Sequence, residues 1–484
     1  MSKIFRRILF WLLFLLFLIT AIITILFSQG YRFDQKKMIF VHSGAITVKS
    51  LPASVNISLN GKPQSGKSLD IINNSITIGG LRPGNYRIQA SLPGYSRWEK
   101  NVEVHSGVST EFWNVILVPQ NIKINELQSQ KVGRFFPSPF GKKIAYSEEL
   151  EKGISLWVID FKKNENQLVF SENNATFSKD KLENLEWNSK EELILAPVIR
   201  NNQNDYLIAS SEGNTDPLFL SEMTKFKDIQ NARWSPKDKN VVYFLAKGDD
   251  KINNLYSFNL ESQALNLVIP EISIYDISQN SIYFLKKNNI LFKSDLDGNR
   301  IEQVSNRPFT DSEPGEKSRM IVYDENRQVF ISEDGRLFVH NNGKNDLLQK
   351  IGDGIMGAQF SDDGKKLLFW SNYEIKVMFL RPWEVQPYRD ENEIQTVVRL
   401  STPIDNVFWF RDYEHVFFSA KNKIKLIELD PRDRRICLDI FENNLDEFSA
   451  TYDIGNGYYF FTKDTGNEER KIFYFILPEK TGLF

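Results

Sequence analysis

Cysteine is nearly absent from the chain. The 484 residues hold one, Cys437, so no intramolecular disulfide can form, and stability has to come from packing and from sheets closed on themselves. Cys437 lies in the apolar run ICLDIF, which predicts a buried, inert thiol. Histidine is also scarce. His42, His105, His340 and His415 are scattered and form no metal-spaced pair such as HExxH, so no metal site is expected. Charge of one sign is missing too: 62 acidic residues stand against 60 basic ones, for a formal net charge of −2. With no polybasic footprint, nucleic acid is not an expected partner. No GxSxG elbow, P-loop, GxGxxG or CxxC occurs where it could work, so the expectation is no catalytic residues, no cofactor and no enzyme.

What is present begins with a long hydrophobic run. Residues 8–27, ILFWLLFLLFLITAIITILF, contain no charge. At about 1.5 Å per residue, an α-helix of that length crosses the roughly 30 Å hydrocarbon core of a bilayer. A secretory signal has an apolar centre of only about 7–15 residues, so a retained transmembrane signal anchor is expected. Cleavage after Gly30, at Ser28-Gln29-Gly30, is the alternative. Lys3, Arg6 and Arg7 precede the run and Arg32, Lys36 and Lys37 follow it, a near tie under the positive-inside rule. The short basic tail, residues 1–7, places the N-terminus in the cytoplasm and the bulk of the chain outside, in a periplasm or on the cell surface. Residues 28–43 read as a polar spacer.

Residues 44–119 alternate in short runs, AITVKS, SVNISLNGK, ITIGGL, NYRIQASL, RWEKNVEVH and TEFWNVILV. Turn signals at Asn60-Gly61, Pro83-Gly84, Pro93-Gly94 and Ser106-Gly107 separate them. Period-2 alternation puts Val55, Ile57 and Leu59 on one face, which predicts a small antiparallel β-sandwich. Pro52, the Asn60-Gly61-Lys62 turn, Leu81-Arg82-Pro83-Gly84-Asn85-Tyr86 and Leu92-Pro93-Gly94-Tyr95 with Trp98 resemble a PEGA domain. That resemblance implies a sandwich of the kind found on bacterial and archaeal surface proteins. The segment departs from the pattern at Gly66-Lys67-Ser68-Leu69, where the usual Gly-x-Thr-Pro stretch is replaced.

From residue 120 onward the chain repeats. RFFPSPFGKKIAYSEE with GISLWVIDF returns as NARWSPKDKNVVYFLA with NNLYSFNL, and as GAQFSDDGKKLLFW with EIKVMFL. Weaker copies begin at Leu182, Ser273, Arg319, Asp405 and Phe448, giving eight copies spaced by about 45 residues. Each copy has room for four short strands, so residues 120–484 are expected to form a β-propeller of eight blades, with seven as the alternative. The last copy is one strand short, and residues 121–128, NIKINELQ, are expected to supply its outer strand. The Ser-Pro and Leu-Trp-Val-Ile-Asp motifs resemble the WD-like repeats of TolB-type bacterial propellers, which implies a contact scaffold and no catalytic set.

Two short strings mimic known sites. Asp295-Leu296-Asp297-Gly298-Asn299 starts like a calcium loop but carries Asn306 where the bidentate Glu belongs, and Ser332-Glu333-Asp334-Gly335 resembles a sialidase Asp-box without its Thr-Trp. Both predict plain turns. The loop RPWEVQPYRDENEIQ is more informative. Trp383 and Tyr388, each beside a proline, are the candidate partner-binding residues, the alternative being a Trp383 packed between blades. The expected protein is all-β: a single-span membrane anchor, a PEGA-like sandwich as stalk, and a propeller that engages an envelope protein or cell-wall polymer. A propeller enzyme acting on glycans and a purely structural spacer are the alternatives.

Overall fold

The structure is a computed structural model that describes residues 3–35, 38–64, 75–148, 150, 153–178, 185–248, 252–344, 346–466 and 469–477. The departure at residues 66–69 lies outside them. Lys3–Ser28 forms one α-helix, long and apolar enough to cross a membrane, with none of its residues buried against the rest of the protein. A helix apolar on every face suits a lipid surround rather than water.

The segment read as a spacer is folded instead. Tyr31–Asp34 and Ile39–His42 pair as an antiparallel hairpin: aromatic residues alternate with charged ones on the first arm and with aliphatic ones on the second, which satisfies the strand pattern. Beyond it stands the sandwich. Gly44–Leu51 is the middle strand of a three-stranded sheet between Ser75–Leu81 and Ser109–Ile116. The facing sheet runs in the order Lys62–Gln64, Asn56–Leu59, Gly84–Ser91, Trp98–Val104. The all-antiparallel expectation fails at one pairing: Gly44–Leu51 and Ser109–Ile116 are parallel, which is feasible because the whole second sheet serves as the crossover between them. Val55, Ile57 and Leu59 are buried together with Ile46, Val48, Ile88, Trp98 and Phe112.

Eight blades follow, at residues 132–172, 175–219, 230–269, 272–303, 319–352, 355–399, 404–442 and 450–476. Each is an antiparallel sheet of four strand positions; in blade 2 the innermost position is split into Ala175–Phe177 and Glu186–Trp187. Blade 8 takes its outer strand from upstream, where Asn125–Glu126 pairs with Arg470–Ile476. One apolar cluster fills each seam between neighbouring blades, and the seam between blades 8 and 1 joins Phe460 and Ile472 to Leu127, Val132 and Tyr146. The ring is therefore closed.

The repeat has a physical basis at each seam. Trp187, Trp234 and Trp409 occupy matching inner-strand positions, and each indole N–H donates to a backbone carbonyl of the preceding blade, Phe136, Glu186 and Gln359, at 3.1–3.3 Å. In blades 1, 2 and 6 a side chain nucleates the turn that follows the innermost strand. Ser138, Asn188 and Ser361 each accept backbone N–H groups four or five residues on, so the hydroxyl or amide stands in for a missing main-chain acceptor.

Cys437 corrects the sequence reading. It is exposed, because it lies on Cys437–Glu442, the outermost strand of blade 7, where alternation turns Ile440 inward and Cys437 and Asp439 outward. The two mimic strings are turns, as expected. Asp295 accepts the Asn299 N–H at 2.7 Å, and the Ser332 hydroxyl caps the hairpin by accepting the Arg336 N–H at 2.9 Å. Among the described residues no cluster of three or more His, Cys, Asp or Glu side chains could hold a metal ion.

Candidate functional site

The loop holding Trp383 and Tyr388 joins the two outer strands of blade 6, and it meets the sandwich. Mutual backbone hydrogen bonds between Trp383 and Arg389, at 2.9 and 3.2 Å, make a small closed loop of it. Gln386, at the tip, uses its side-chain amide as a strand residue would use its backbone: Oε1 accepts the Glu111 N–H at 3.1 Å and Nε2 donates to the Ser109 carbonyl at 2.9 Å. The corresponding loop of blade 7, residues 429–436, docks beside it. Arg432 donates to the Glu111 carbonyl at 2.7 Å, and its guanidinium lies 4.0 Å from the centre of the Phe112 ring.

Lys100 is the hub of this junction. On Trp98–Val104 the inward positions are Trp98, Lys100, Val102 and Val104, so a lysine stands where the pattern asks for an apolar residue. Its side chain is fully buried, and the ammonium lies 2.6 Å from Glu428 and 3.0 Å from each of the carbonyls of Asp430, Arg432 and Arg434. Glu428 is satisfied in turn by the Trp98 indole at 3.2 Å and the Ile436 N–H at 2.8 Å. A charge buried this completely is tolerable only with such a full set of partners. The sandwich is thus fastened to blades 6 and 7 as a single unit.

Between the fastened parts opens a cleft of about 280 Å³, lined by Trp113 and Asn114 of the sandwich, Trp383 and Val385 of blade 6, and Asp412 and Glu414 of blade 7. Trp383 is half-buried. One side packs against Phe379 with the Lys366 ammonium 3.9 Å from its ring centre, and it also borders the core between blades 6 and 7. Tyr388 does not line the cleft; it stands outside it, 65% exposed. Of the two residues expected from sequence, one forms a wall of the cleft and the other is exposed on the same loop outside it.

The acidic wall is organised by charge pairing. Asp412 accepts the Glu414 and His415 N–H groups at 2.8 and 3.0 Å and faces the His415 ring at 2.7 Å. Loss of water alone would raise its carboxyl, but His415, the backbone N–H of Glu414 and Lys366 outweigh that and hold it below the ordinary range. The same pairing reverses the effect of burial on His415, whose ring is held above its usual value by Asp412. Glu414 behaves oppositely. Burial raises it, and the ion pair with Lys366 only partly offsets the rise.

The wall formed by Trp113, Asp412 and Glu414 was not anticipated. The signal for the latter two was local: where other blades carry Ser-Pro or Asp-Gly turns, blade 7 reads Arg411-Asp412-Tyr413-Glu414-His415. Elsewhere, Arg233 on the innermost strand of blade 3 joins Glu186 of blade 2 and Asp276 of blade 4, the latter at 2.6 Å. This ladder ties three inner strands across the ring, and Asp276 also accepts the Val322 N–H of blade 5 at 2.9 Å.

No protein-family model matches the chain, and no curated protein matches it. Among solved structures the chain is similar to the Dos1 propeller, with a TM-score of 0.48 and 12% identity over 73% of this chain and 94% of that one. It is also similar to Sqt1 of Saccharomyces cerevisiae, with a TM-score of 0.45 and 10% identity over 73% and 98% of the two chains. An oligogalacturonate lyase in complex with manganese gives a TM-score of 0.38 and 8% identity over 74% and 96%.

Proposed function

We propose that this protein is a membrane-anchored binding or scaffold protein whose helix is retained as a single span. In this reading the N-terminus is cytoplasmic and everything beyond Ser28 is extracytoplasmic. The sandwich is of the PEGA kind and the ring of the TolB kind. The partner is an envelope protein or polymer, and the contact site is the seam cleft with Val385 and, exposed on the same loop, Tyr388.

The observation that carries this reading is the locked junction. Because Lys100, Gln386 and Arg432 fasten the sandwich to blades 6 and 7, the cleft keeps one position relative to the sandwich that joins it to the helix. A tether of fixed geometry raises the effective concentration of a site at the surface it faces, so weak contacts suffice. Two indoles on a partly polar wall are the residue types that dominate such contacts. An enzyme is the alternative reading; on the innermost strands the carboxylates of Glu186 and Asp276 are both engaged by Arg233, so this pair does not supply the free general acid and base that such a reading needs.

The experiment is a cross-linked pull-down from intact host cells with the full-length protein and a Val385→Ser, Tyr388→Ala variant. Both substitutions are on exposed side chains, so the fold is unaffected. A defined envelope species recovered with the parent and depleted with the variant supports the reading. The same species at equal yield with both, or none with either, refutes it.

A further inference from the structure

The hairpin that follows the helix has an aromatic face whose Phe33/Phe40 half joins no apolar cluster among the described residues. Its register pairs Phe33 with Phe40 and Tyr31 with His42, which puts all four rings on one face. The rings meet edge to face at 5.3 and 5.2 Å. Phe33 and Phe40 are part-exposed and belong to none of the apolar clusters of the described residues. At the far end Met38 is 71% and Ile39 51% exposed. The two strands pair with no third strand, and an isolated two-stranded hairpin is marginal in water. An apolar surface outside the protein would complete its burial.

Its position says what that is. Gly30, at φ +88°, turns the chain straight out of the helix, so that only Gln29 and Gly30 separate the helix from the hairpin. Arg32 turns back onto that end, donating to the Phe27 carbonyl at 3.2 Å with its guanidinium 4.9 Å from the Phe27 ring centre. An arginine at a helix end beside exposed aromatics is the composition of a membrane interface. The base of the hairpin is held as well: Ser43 donates twice to the Gly30 carbonyl, at 2.9 and 2.6 Å, and Ser106 to that of His42 at 3.0 Å.

We propose that the paired strands Tyr31–Asp34 and Ile39–His42 form a second membrane-contact element, with their Phe33/Phe40 face and the Met38–Ile39 end seated in the headgroup layer beside the helix exit. The proposal rests on the retained-anchor reading above. Together the helix and hairpin give the head two points of attachment and fix its tilt on the bilayer.

The test is spin-label depth measurement on the full-length protein in nanodiscs of phosphatidylethanolamine and phosphatidylglycerol. Exposed Cys437 is first replaced by serine, and single cysteines are then placed at Leu16, Met38, Ile39 and, as an aqueous reference on the propeller, Phe140. The expected result is a ratio of oxygen to nickel-chelate collision rates at Met38 and Ile39 several-fold above that at Phe140, with Leu16 higher still. Labels at Met38 and Ile39 that match Phe140 while Leu16 reads lipid overturn the proposal and leave the anchor standing. Labels at Met38 and Ile39 shielded from both reagents also overturn it, since they indicate protein cover. An aqueous Leu16 removes the anchor itself.

Discussion

Replacing Lys100 by methionine is the sharpest perturbation of the junction between sandwich and propeller. Methionine keeps most of the volume and loses the charge. The Glu428 carboxylate, 2.6 Å away and buried, then retains only the Trp98 indole and the Ile436 N–H, while three carbonyls that each received a 3.0 Å hydrogen bond face an apolar end. Removing one partner of a buried ion pair costs about 3–5 kcal/mol, and orphaned buried carbonyls add to that. Glu428→Gln in the same chain restores part of the loss, because it removes the uncompensated charge while keeping an acceptor for the indole. The assay is urea unfolding of the detergent-solubilised full-length protein, followed by the fluorescence of Trp98 and its neighbours and by protease cleavage in the 117–124 connection. The expected outcome is a loss of about 3 kcal/mol or more for Lys100→Met, partial recovery in the double variant, and faster cleavage of the connection. A loss under about 1 kcal/mol with unchanged cleavage would refute the reasoning, since it would mean that water reaches the site.

Other outcomes follow from single positions. A Cβ on Gly357 would stand 2.3 Å from the Trp370 ring, so Gly357→Ala should destabilise blade 6 by about 1–3 kcal/mol in the same unfolding assay. Leu127→Ala removes a buried side chain from the seam that closes the ring, and should cost about 2–5 kcal/mol and broaden the thermal transition. His415 is held above its usual value, so its contribution is complete below the unfolded-state value of about 6.5 and is lost as pH rises through the folded value. Asp412 is held below its usual value, so its contribution is present above about 4 and is lost as pH falls further. Thermal unfolding should therefore show a decline in Tm on the alkaline side of pH 6.5 that Asp412→Asn flattens. Cys437 is exposed at the surface but burial around its thiol pushes it up to about 11, so it should label with a maleimide in the folded protein more slowly than a free cysteine does at neutral pH.

Much of this architecture was legible because repetition carries it. Trp187, Trp234 and Trp409 recur ahead of turn residues, and the physics that repeats them, an indole bonded to the preceding blade, is local to each copy. The missing outer strand of the last blade could likewise be located at 121–128, and the pairing forms at Asn125–Glu126. The junction could not be read in this way. Lys100 was visible as a lysine in an apolar register, but its partners lie about 330 residues downstream in a loop with no pattern of its own. Gln386 imitates a strand with its side chain, which no periodicity reveals. Trp383 and Tyr388 stood out by residue type, and only the fold separates the cleft wall from the exposed residue outside it.

The most direct test of the binding-head account is site-specific photo-cross-linking in native membranes. A photoreactive phenylalanine replaces Asn114, on the exposed wall of the cleft, or Tyr388, exposed on the same loop as the cleft residues Trp383 and Val385, with Phe140 on blade 1 as reference. The account predicts one discrete adduct from Asn114 and Tyr388 and none from Phe140. Adducts of the same kind at all three positions, or at none, would contradict it.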